Sequence, residues 1–426
     1  AMVAKGLWEF VKPRSEFARH VLTLATGTGM AQVLPLAVLP VLSRLYTEVQ
    51  FGLLNLFLSI VSILGIVATG RYELAIMLPE ENEEAAQVLG LSIGLSVLLS
   101  LLLLVLVTVF NAQICALLGS EEIGPWLYLV PVLLVANAVY QSFNYWFNRR
   151  KQYQRLAKNR VLRSGLTEVG KVALGFQKLT AGGLILGTVI GQAVVTVLFL
   201  RIGKREDGEL FAKIDRAGMM RAARRYRNFP LFTVPAEAIN DISKRMPVFV
   251  LTSAFGKAAT GQFGMAQMVL GGPIGILGGA VADVFKQQAS EQFNREGNCR
   301  ALWISTFRRL LLLGVPLFAV LYWVAPVAFA FVLGEKWRLA GEMARALTPM
   351  YFMSLLAGPL SRTLYIAEKQ KLDLAWQIAF FGAVGTALYW GQSQGDVLVT
   401  MHAFGLAGAA MYAIFLWMSY RAAQGS

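Results

Sequence analysis

One helical face in the second half of the chain carries a stripe of charged and amide side chains. The stripe has the spacing i, i+3, i+4, i+7 and comprises Glu237, Asn240, Asp241 and Lys244, with Arg245 adjoining. These positions share one face of an α-helix, and ionisable residues in an apolar span usually face a cavity or a partner. We expect a cavity wall for an anionic group, with Glu237 or Asp241 able to take up H⁺ or Na⁺. The alternative is a set of ion pairs that merely hold helices together.

A second polar stripe lies in the span predicted at 158–178. It comprises Ser164, Glu168 and Lys171, which makes Glu168 a further coupling-ion candidate and Lys171 a further cavity candidate. Because Glu168 and Lys171 are i, i+3 neighbours, they can also simply neutralise each other. Both interpretations stay open.

A row of amides marks the span predicted at 123–148. Its members, at i, i+4, i+7 and i+11, are Asn137, Gln141, Asn144 and Asn148. Amide hydrogen bonds between helices are the simple explanation, but four amides in one stripe exceed that need. Beside Tyr140 and Trp146, they also suit the hydroxyl groups and faces of sugars.

The tripeptide QFG occurs at 50–52 and again 212 residues later, at 262–264. Each copy lies at the predicted external end of the second span of its half. Three letters recur easily by chance, but an equal helix count in the two halves and a basic segment at the midpoint support an internal repeat. Parallel repeats with the substrate path between two lobes are a known transporter architecture.

The two copies of the repeat lead into different charges. Arg71 follows the first copy, and Asp283 occupies the matched position after the second. Arg71 and Asp283 are therefore a candidate gating pair between the halves, or else interfacial residues that extend to lipid headgroups. Asn55 lies on a polar face of the first copy's span and is a cavity candidate.

The composition places these stripes in a membrane. Hydrophobic residues make up 56% of the chain and charged residues 15%, against roughly 25% charged in soluble domains. Apolar runs of about 18 residues or more predict membrane-spanning helices. The predicted fold is an all-α integral membrane protein with about twelve transmembrane helices in two pseudo-symmetric six-helix lobes around a central cavity.

The charge distribution predicts orientation and domain organisation. The formal net charge of +14 comes from Lys and Arg concentrated on one side, as in cytoplasmic loops, so no nucleic-acid partner is expected and both termini are predicted to be cytoplasmic. The acidic segment 79–86 disagrees mildly with this assignment. We predict an N-terminal lobe at 1–203, a basic cytoplasmic connector at 204–227 and a C-terminal lobe at 228–426.

The sequence contains no recognised catalytic or metal-binding motif. It has no G-x-x-x-x-G-K-[ST] phosphate loop and no H-E-x-x-H. His20 and His402 are too few and too scattered for a metal site, and Cys115 and Cys299 fall on opposite sides of the predicted topology. We therefore expect a secondary transporter without a cofactor, apart from a coupling H⁺ or Na⁺, rather than an enzyme.

The block LPVLSRLYTEVQFGLLNLFLSIVSILGIVATGRYELAIMLPEENEEA (39–85) resembles Wzx-type polysaccharide-biosynthesis flippases. These are O-antigen and capsule translocases of the multidrug/oligosaccharidyl-lipid/polysaccharide (MOP) exporter superfamily. The shared features are Pro-x-Leu-x-Arg-Leu-Tyr at the end of helix one, Phe-Gly at the start of helix two, and Arg-Tyr-Glu before an acidic turn. Outside this block, the likeness rests on helix count and the two-lobe repeat.

The resemblance implies a function. A polyprenyl-pyrophosphate-linked oligosaccharide, an O-antigen or exopolysaccharide repeat unit, would move from the cytoplasmic to the outer leaflet of the bacterial inner membrane by alternating access. Membrane lipids and polysaccharide polymerase machinery are further expected partners, and the protein is expected to be a monomer. The cavity candidates are Arg71, Lys171, Lys244, Arg245, Asn137, Gln141, Asn144, Asn55 and Asn240; the bases among them are candidates for binding pyrophosphate.

Two other functions compete with this interpretation. A cation-coupled multidrug exporter of the same superfamily also has twelve helices, but it needs an acidic, aromatic cavity for organic cations, and the interior bases disfavour it. A membrane glycosyltransferase or O-antigen ligase needs a large external loop with catalytic residues, and no such loop is predicted.

Overall fold

The structure, a computed structural model, describes residues 16–367 and 369–425, apart from the side chains of residues 16–25, 273, 276, 277, 280, 283, 294 and 370. This part of the chain is helical and without strands. Its long helices are α1 Glu16–Leu45, α2 Glu48–Ala68, α3 Asn82–Leu118, α4 Leu129–Arg149, α5 Tyr153–Phe176, α6 Thr180–Ala212, α7 Val234–Glu296, α8 Arg300–Leu333, α9 Arg338–Leu360, α10 Gln370–Ser393 and α11 Val397–Ala423.

Helix α7 is folded into two arms. It contains 63 residues, which would extend about 95 Å as a straight helix, against roughly 30 Å for a bilayer core. Gly256 interrupts it with a φ of 81° and a ψ of 173°. The hydroxyls of Thr252 and Thr260 then lie 2.9 Å apart, so the chain reverses here. With two arms in α7, the eleven long helices make the twelve passages that the sequence predicts.

Seven helices in the described part of the chain are long and apolar enough to cross a membrane, or eight if the bent pair Glu121–Leu127 and Leu129–Arg149 forms one span. Helices α5, α7 and α9 are not among them. Helices α5 and α7 carry the polar stripes predicted from the sequence, so their placement depends on neighbours that cover these stripes.

The helices pack as two groups. In the N-terminal half, α5 packs against α1 and α6, and α4 against α3 and α6; in the C-terminal half, α9 packs against α8, α7 and α11, and α10 against α11. The contact between α2 and α7 is the most extensive connection between the two halves. The predicted pseudo-symmetric, two-lobe arrangement is thus visible in the packing.

The QFG repeat lies where α2 crosses the start of the second arm of α7. A Cβ atom at Gly52 would lie 1.9 Å from the carbonyl oxygen of Lys257, and one at Gly261 would lie 1.9 Å from that of Glu48. A Cβ atom at Gly264, of the second QFG, would meet the side-chain amide of Asn55 in α2. We call Gly52, Gly261 and Gly264 the glycine crossing; at Gly52 and Gly261 a residue without a side chain is required because the two backbones touch.

Helix α6 is longer than the sequence predicts. The sixth span is predicted at 181–202, whereas α6 continues to Ala212, into the predicted connector 204–227. Near its end, Asp207 is 5% exposed; it accepts a hydrogen bond from Trp146 Nε1 at 2.8 Å and pairs with Arg150 at 3.2 Å. These contacts attach the extension to α4.

The rest of the connector explains the acidic segment that disagreed with the charge rule. A short helix, Arg216–Arg225, packs against α3, and Arg225 donates to both oxygens of Glu84, at 2.8 and 3.0 Å. Lys213 pairs with Glu83, and this hydrogen bond and charge raise the pKa of the Lys213 amine. The acidic residues thus neutralise part of the basic connector.

Candidate functional site

The largest of the cavities described here lies in the N-terminal half. This N-half cavity has a volume of about 510 Å³ and is walled by α1, α2, α4, α5 and α6, with Arg245 of α7 at its edge. Its polar lining includes Thr28, Gln32, Ser62, Asn137, Arg160, Arg163, Ser164, Thr167, Glu168, Thr188 and Gln192. Bases, hydroxyls and amides therefore share one enclosure.

Two arginines of α5 provide much of the positive charge, and the sequence reasoning missed both. Arg163 lies over the ring of Tyr140, with 4.5 Å between the guanidinium carbon and the ring centroid. Arg160 Nη1 donates to Thr28 Oγ1 at 2.5 Å. Among the described residues, neither arginine pairs with a carboxylate, so both charges remain available to a ligand.

The signal for these arginines is present in the sequence. The α5 stripe runs at i, i+3, i+4, i+7, i+8 through Arg160, Arg163, Ser164, Thr167 and Glu168, one helical face. Interpretation from the sequence began the stripe at Ser164, since the preceding arginines belong to a run of bases that also fits a cytoplasmic loop.

The amide row of α4 continues this surface. Gln141 and Asn144 line an adjoining cavity of about 470 Å³, the amide cavity, which also includes Arg160 and Arg163. Asn144 Nδ2 donates to the Tyr140 carbonyl at 2.7 Å, while its Oδ1 is buried with no partner in the described part. An unpaired buried acceptor is available to a ligand donor.

A central cavity of about 260 Å³ connects the amide row to the C-terminal half. Asn137, Gln141 and Arg163 line it together with Arg71 of the N-terminal half and Asp241 of α7. Polar residues of both halves therefore meet at this point.

Arg71 makes a contact between the halves that was not predicted from the sequence. It pairs with Glu73 at 3.1 Å and also with Glu237 of α7. The side chain of its predicted partner, Asp283, lies outside the described residues, so that pairing stays a prediction. We call Arg71, Glu73 and Glu237 the arginine contact.

Most of the α7 stripe faces the cavities. Arg245 lines both the N-half cavity and a cavity of the C-terminal half; its Nη2 lies 3.4 Å from Ser62 Oγ and its Nε 3.8 Å from Asp241 Oδ1. Lys244 and Asn240 line the C-terminal half. Glu237 lines none of the five described cavities and pairs with Arg71, so the ion-pair alternative describes this residue.

The C-terminal half contains two adjoining cavities, the C-half cavities, of about 340 and 400 Å³. They share Lys244, Ser354, Phe380 and Tyr412. Because Arg245 also lines the N-half cavity and Asp241 the central cavity, shared residues connect all five cavities into one polar tract. The tract offers guanidinium groups for anions and amides, hydroxyls and aromatic rings for a neutral polar ligand.

Two predicted cavity residues lie elsewhere. Asn55 is at the glycine crossing, where its Nδ2 donates to the Thr260 carbonyl at 3.3 Å, so it joins the halves and does not line these cavities. Lys171 is 9% exposed and its Nζ lies 2.8 Å from Glu168 Oε1. Its charge is used by Glu168, which itself lines the N-half cavity; this is the neutralising alternative that the spacing allowed.

No group of three or more potential metal ligands occurs among the described residues. Cys115 and Cys299 are buried free thiols.

The chain is similar to a known protein family. A family described as polysaccharide biosynthesis protein matches residues 41–341. The chain belongs to this family. A comparison with curated proteins gives no significant sequence match.

Solved structures share the fold. The lipid II flippase MurJ, in an inward closed conformation, matches with a TM-score of 0.76 at 13% identity over 94% of this chain and 87% of MurJ. An inward-facing multidrug resistance MATE transporter matches with a TM-score of 0.61 at 16% identity over 94% of each chain. A MOP superfamily transporter from Pyrococcus furiosus, described as having a binding pocket of reverse polarity, matches with a TM-score of 0.64 at 13% identity over 94% of each chain.

These findings confirm the family and the fold expected from the 39–85 block. The polysaccharide biosynthesis protein has the two-lobe, all-α architecture of MOP superfamily transporters and is a multi-pass membrane protein. The solved structures that share this fold include a flippase and a transporter.

Proposed function

We propose that the protein is a flippase for a polyprenyl-pyrophosphate-linked oligosaccharide, such as an O-antigen or exopolysaccharide repeat unit. It moves this lipid from the cytoplasmic to the outer leaflet of the bacterial inner membrane by alternating access, with both termini in the cytoplasm. The observation that carries the proposal is the pair Arg160 and Arg163, which face a membrane cavity without a carboxylate partner among the described residues.

The pyrophosphate fits the α5 arginines. A guanidinium group binds phosphate oxygens with two parallel hydrogen bonds, and Arg163 is held in place by Tyr140. Arg245, at the edge of the same cavity, adds a third cation. The amides of α4 and the aromatic and hydroxyl groups of the C-half cavities then accommodate the carbohydrate.

Energy input would come from an ion gradient or the membrane potential. Glu237, Asp241 and Glu168 remain the candidates for H⁺ or Na⁺. Glu237 has an added role, because its contact with Arg71 joins the halves. Protonation of Glu237 would remove the attraction and allow the halves to separate at this end.

A flipping assay tests the proposal. Purified protein in liposomes that contain a fluorescent polyprenyl-pyrophosphate oligosaccharide should expose the label to a membrane-impermeant quencher faster than protein-free liposomes do. Replacing both α5 arginines (Arg160→Gln, Arg163→Gln) should slow flipping at least about tenfold, since each hydrogen bond to a charged group contributes about 1.5–3 kcal/mol. The charge-matched control Arg216→Gln, Arg224→Gln changes exposed bases of the connector helix and should have little effect.

Folded wild-type protein that gives no flipping above protein-free liposomes contradicts the proposal. The competing multidrug exporter makes the opposite prediction: uptake of an organic cation such as ethidium under an ion gradient, which the cationic tract should disfavour.

A further inference from the structure

Two further cations face the C-half cavities. Lys244 lines both cavities, and Arg362, of the short helix Arg362–Ile366, lines the larger one. Among the described residues, neither has a carboxylate within ion-pair distance. A charge without a partner at membrane depth is costly and indicates a ligand or pathway.

Lys244 and Arg245 both line the smaller C-half cavity, but only Arg245 also lines the N-half cavity. Successive residues of an α-helix point about 100° apart; Arg245 reaches Ser62 of α2, whereas Lys244 lines the C-half cavities and is absent from the lining of the N-half cavity. The positive charge of Lys244 is therefore separate from the N-half cavity that the α5 arginines line.

The acids of the C-half cavities do not balance these bases. The lining bases are Lys244, Arg245 and Arg362, and the lining acids are Asp241 and Asp373. Asp373 already accepts hydrogen bonds from Tyr365 at 3.1 Å and Gln377 at 2.7 Å. One positive charge is left over.

The surroundings of Lys244 suit a sugar ring. Trp376, Phe380 and Tyr412 form a cluster with ring centroids 5.0 to 5.6 Å apart, and all three line the larger C-half cavity. Ser354 and Asn240 add hydrogen-bonding groups there. Aromatic walls with a few convergent polar groups are typical of sites for organic ligands.

We infer that the C-half cavities form a second anion-binding subsite, in which Lys244 and Arg362 bind an acidic group carried by the carbohydrate, such as the carboxylate of a uronic acid. The inference rests on the proposed function, because it takes the pyrophosphate to be bound by the α5 arginines. Those arginines offer the planar two-bond geometry that phosphate favours, whereas Lys244 is a point charge. The cargo is then recognised as an acidic oligosaccharide, with one anion in each half.

Binding measurements in nanodiscs test this subsite without requiring transport. Three ligands are compared: polyprenyl pyrophosphate linked to a neutral oligosaccharide, the same lipid with one hexose replaced by its uronic acid, and unglycosylated polyprenyl pyrophosphate. Wild-type protein should bind the acidic form about tenfold or more tightly than the neutral one, because a hydrogen bond to a charged group is gained. Replacing both cations (Lys244→Gln, Arg362→Gln) should bring this ratio to about one, while Lys244→Arg should keep it.

The control variant Lys204→Gln, Arg224→Gln removes two exposed cations, one near the end of α6 and one in the short helix Arg216–Arg225, and should retain the wild-type ratio. Equal wild-type affinities for the acidic and neutral forms overturn the inference but leave the proposed function intact. Loss of affinity for unglycosylated polyprenyl pyrophosphate in the Lys244→Gln, Arg362→Gln variant also overturns it, since these cations would then bind pyrophosphate. If none of the three lipids binds, both the inference and the proposed function are wrong.

Discussion

The two ends of the α2–α7 interface hold the halves together by different kinds of interaction. At the glycine crossing, backbone touches backbone, and α2 lines none of the described cavities before Leu58. The arginine contact lies just beyond the other end of α2, whose residues 52–68 span about 24 Å by helical rise, and there charged side chains meet at the edge of the polar tract. Close packing of the backbones (shape) closes the end at the glycine crossing, and ion pairs (charge) close the end at the arginine contact.

This difference indicates how the ends respond to change. Close packing of backbone is lost abruptly when any atom is added, whereas an ion pair weakens gradually with salt or protonation. The charge-closed end lies on the side predicted to face the cytoplasm, where the proposed cargo would enter. Four substitutions, taken from the largest expected effect to the smallest, test the contrast.

Adding one methyl group at the glycine crossing should have the largest effect. In the variant Gly261→Ala, the new Cβ would overlap the Glu48 carbonyl oxygen and the Gly52 nitrogen, which belong to backbone and cannot turn aside. We expect a loss of about 3 kcal/mol in unfolding free energy, measured by denaturation in detergent. Gly94→Ala adds the same group where no atom lies within 4 Å; equal stability of the two variants would show that the crossing is not tightly packed.

The two ends of this interface could be predicted from the sequence to different extents. The QFG repeat predicted equivalent helix starts, and these are indeed where the halves touch. The sequence could not show that the glycines face each other, because a repeat specifies equivalent positions rather than rotation about the helix axis. The contact of Arg71 with Glu237 was likewise not predicted, and the predicted pairing of Arg71 with Asp283 stays a prediction because the Asp283 side chain lies outside the described residues.

The cavity residues show a similar limit. Spacing identified the stripe from Asn240 to Arg245 because those charges interrupt an apolar span. It passed over Arg160 and Arg163, whose run of bases also fits a loop, and placed Asn55 in the cavity although that amide is used between helices. Helical period predicts a shared face, but which neighbour covers that face depends on tertiary packing.

The second-largest effect is expected from Arg71→Gln at the arginine contact. Glu73 is 2% exposed, and without Arg71 this carboxylate would be buried with no cation, a change that costs about 3–5 kcal/mol. Because the Arg71 side chain is 22% exposed, water partly replaces the lost cation, so we expect a loss of about 2 kcal/mol, less than for Gly261→Ala. Denaturation in detergent measures it, and Arg71→Lys, which retains the charge, should lose distinctly less. If both variants lose the same amount, geometry rather than charge holds this end.

The third prediction separates the two carboxylates of the arginine contact. Glu237 is 40% exposed, so Glu237→Gln should lower the unfolding free energy by about 1 kcal/mol or less. It should nevertheless remove the salt dependence of labelling of a cysteine introduced at Thr69, which lines the central cavity, because the attraction screened by salt is gone. Cys115 and Cys299 are buried and should contribute little background. Salt dependence that persists in the variant would assign it to another pair.

The smallest effect is expected from Lys336→Met, beside the glycine crossing. Lys336 Nζ donates to the Tyr46 carbonyl at 2.9 Å, a polar contact between the halves at the end that shape already closes. The variant should lose about 1 kcal/mol in denaturation, the contribution of one partly exposed hydrogen bond, similar to Glu237→Gln. Unlike that variant, it should leave cysteine labelling in the central cavity and its salt dependence unchanged, because backbone contact at Gly52 and Gly261 keeps the end closed. Labelling that rises as much as in Glu237→Gln would mean that charge closes both ends, and the contrast between them would fail.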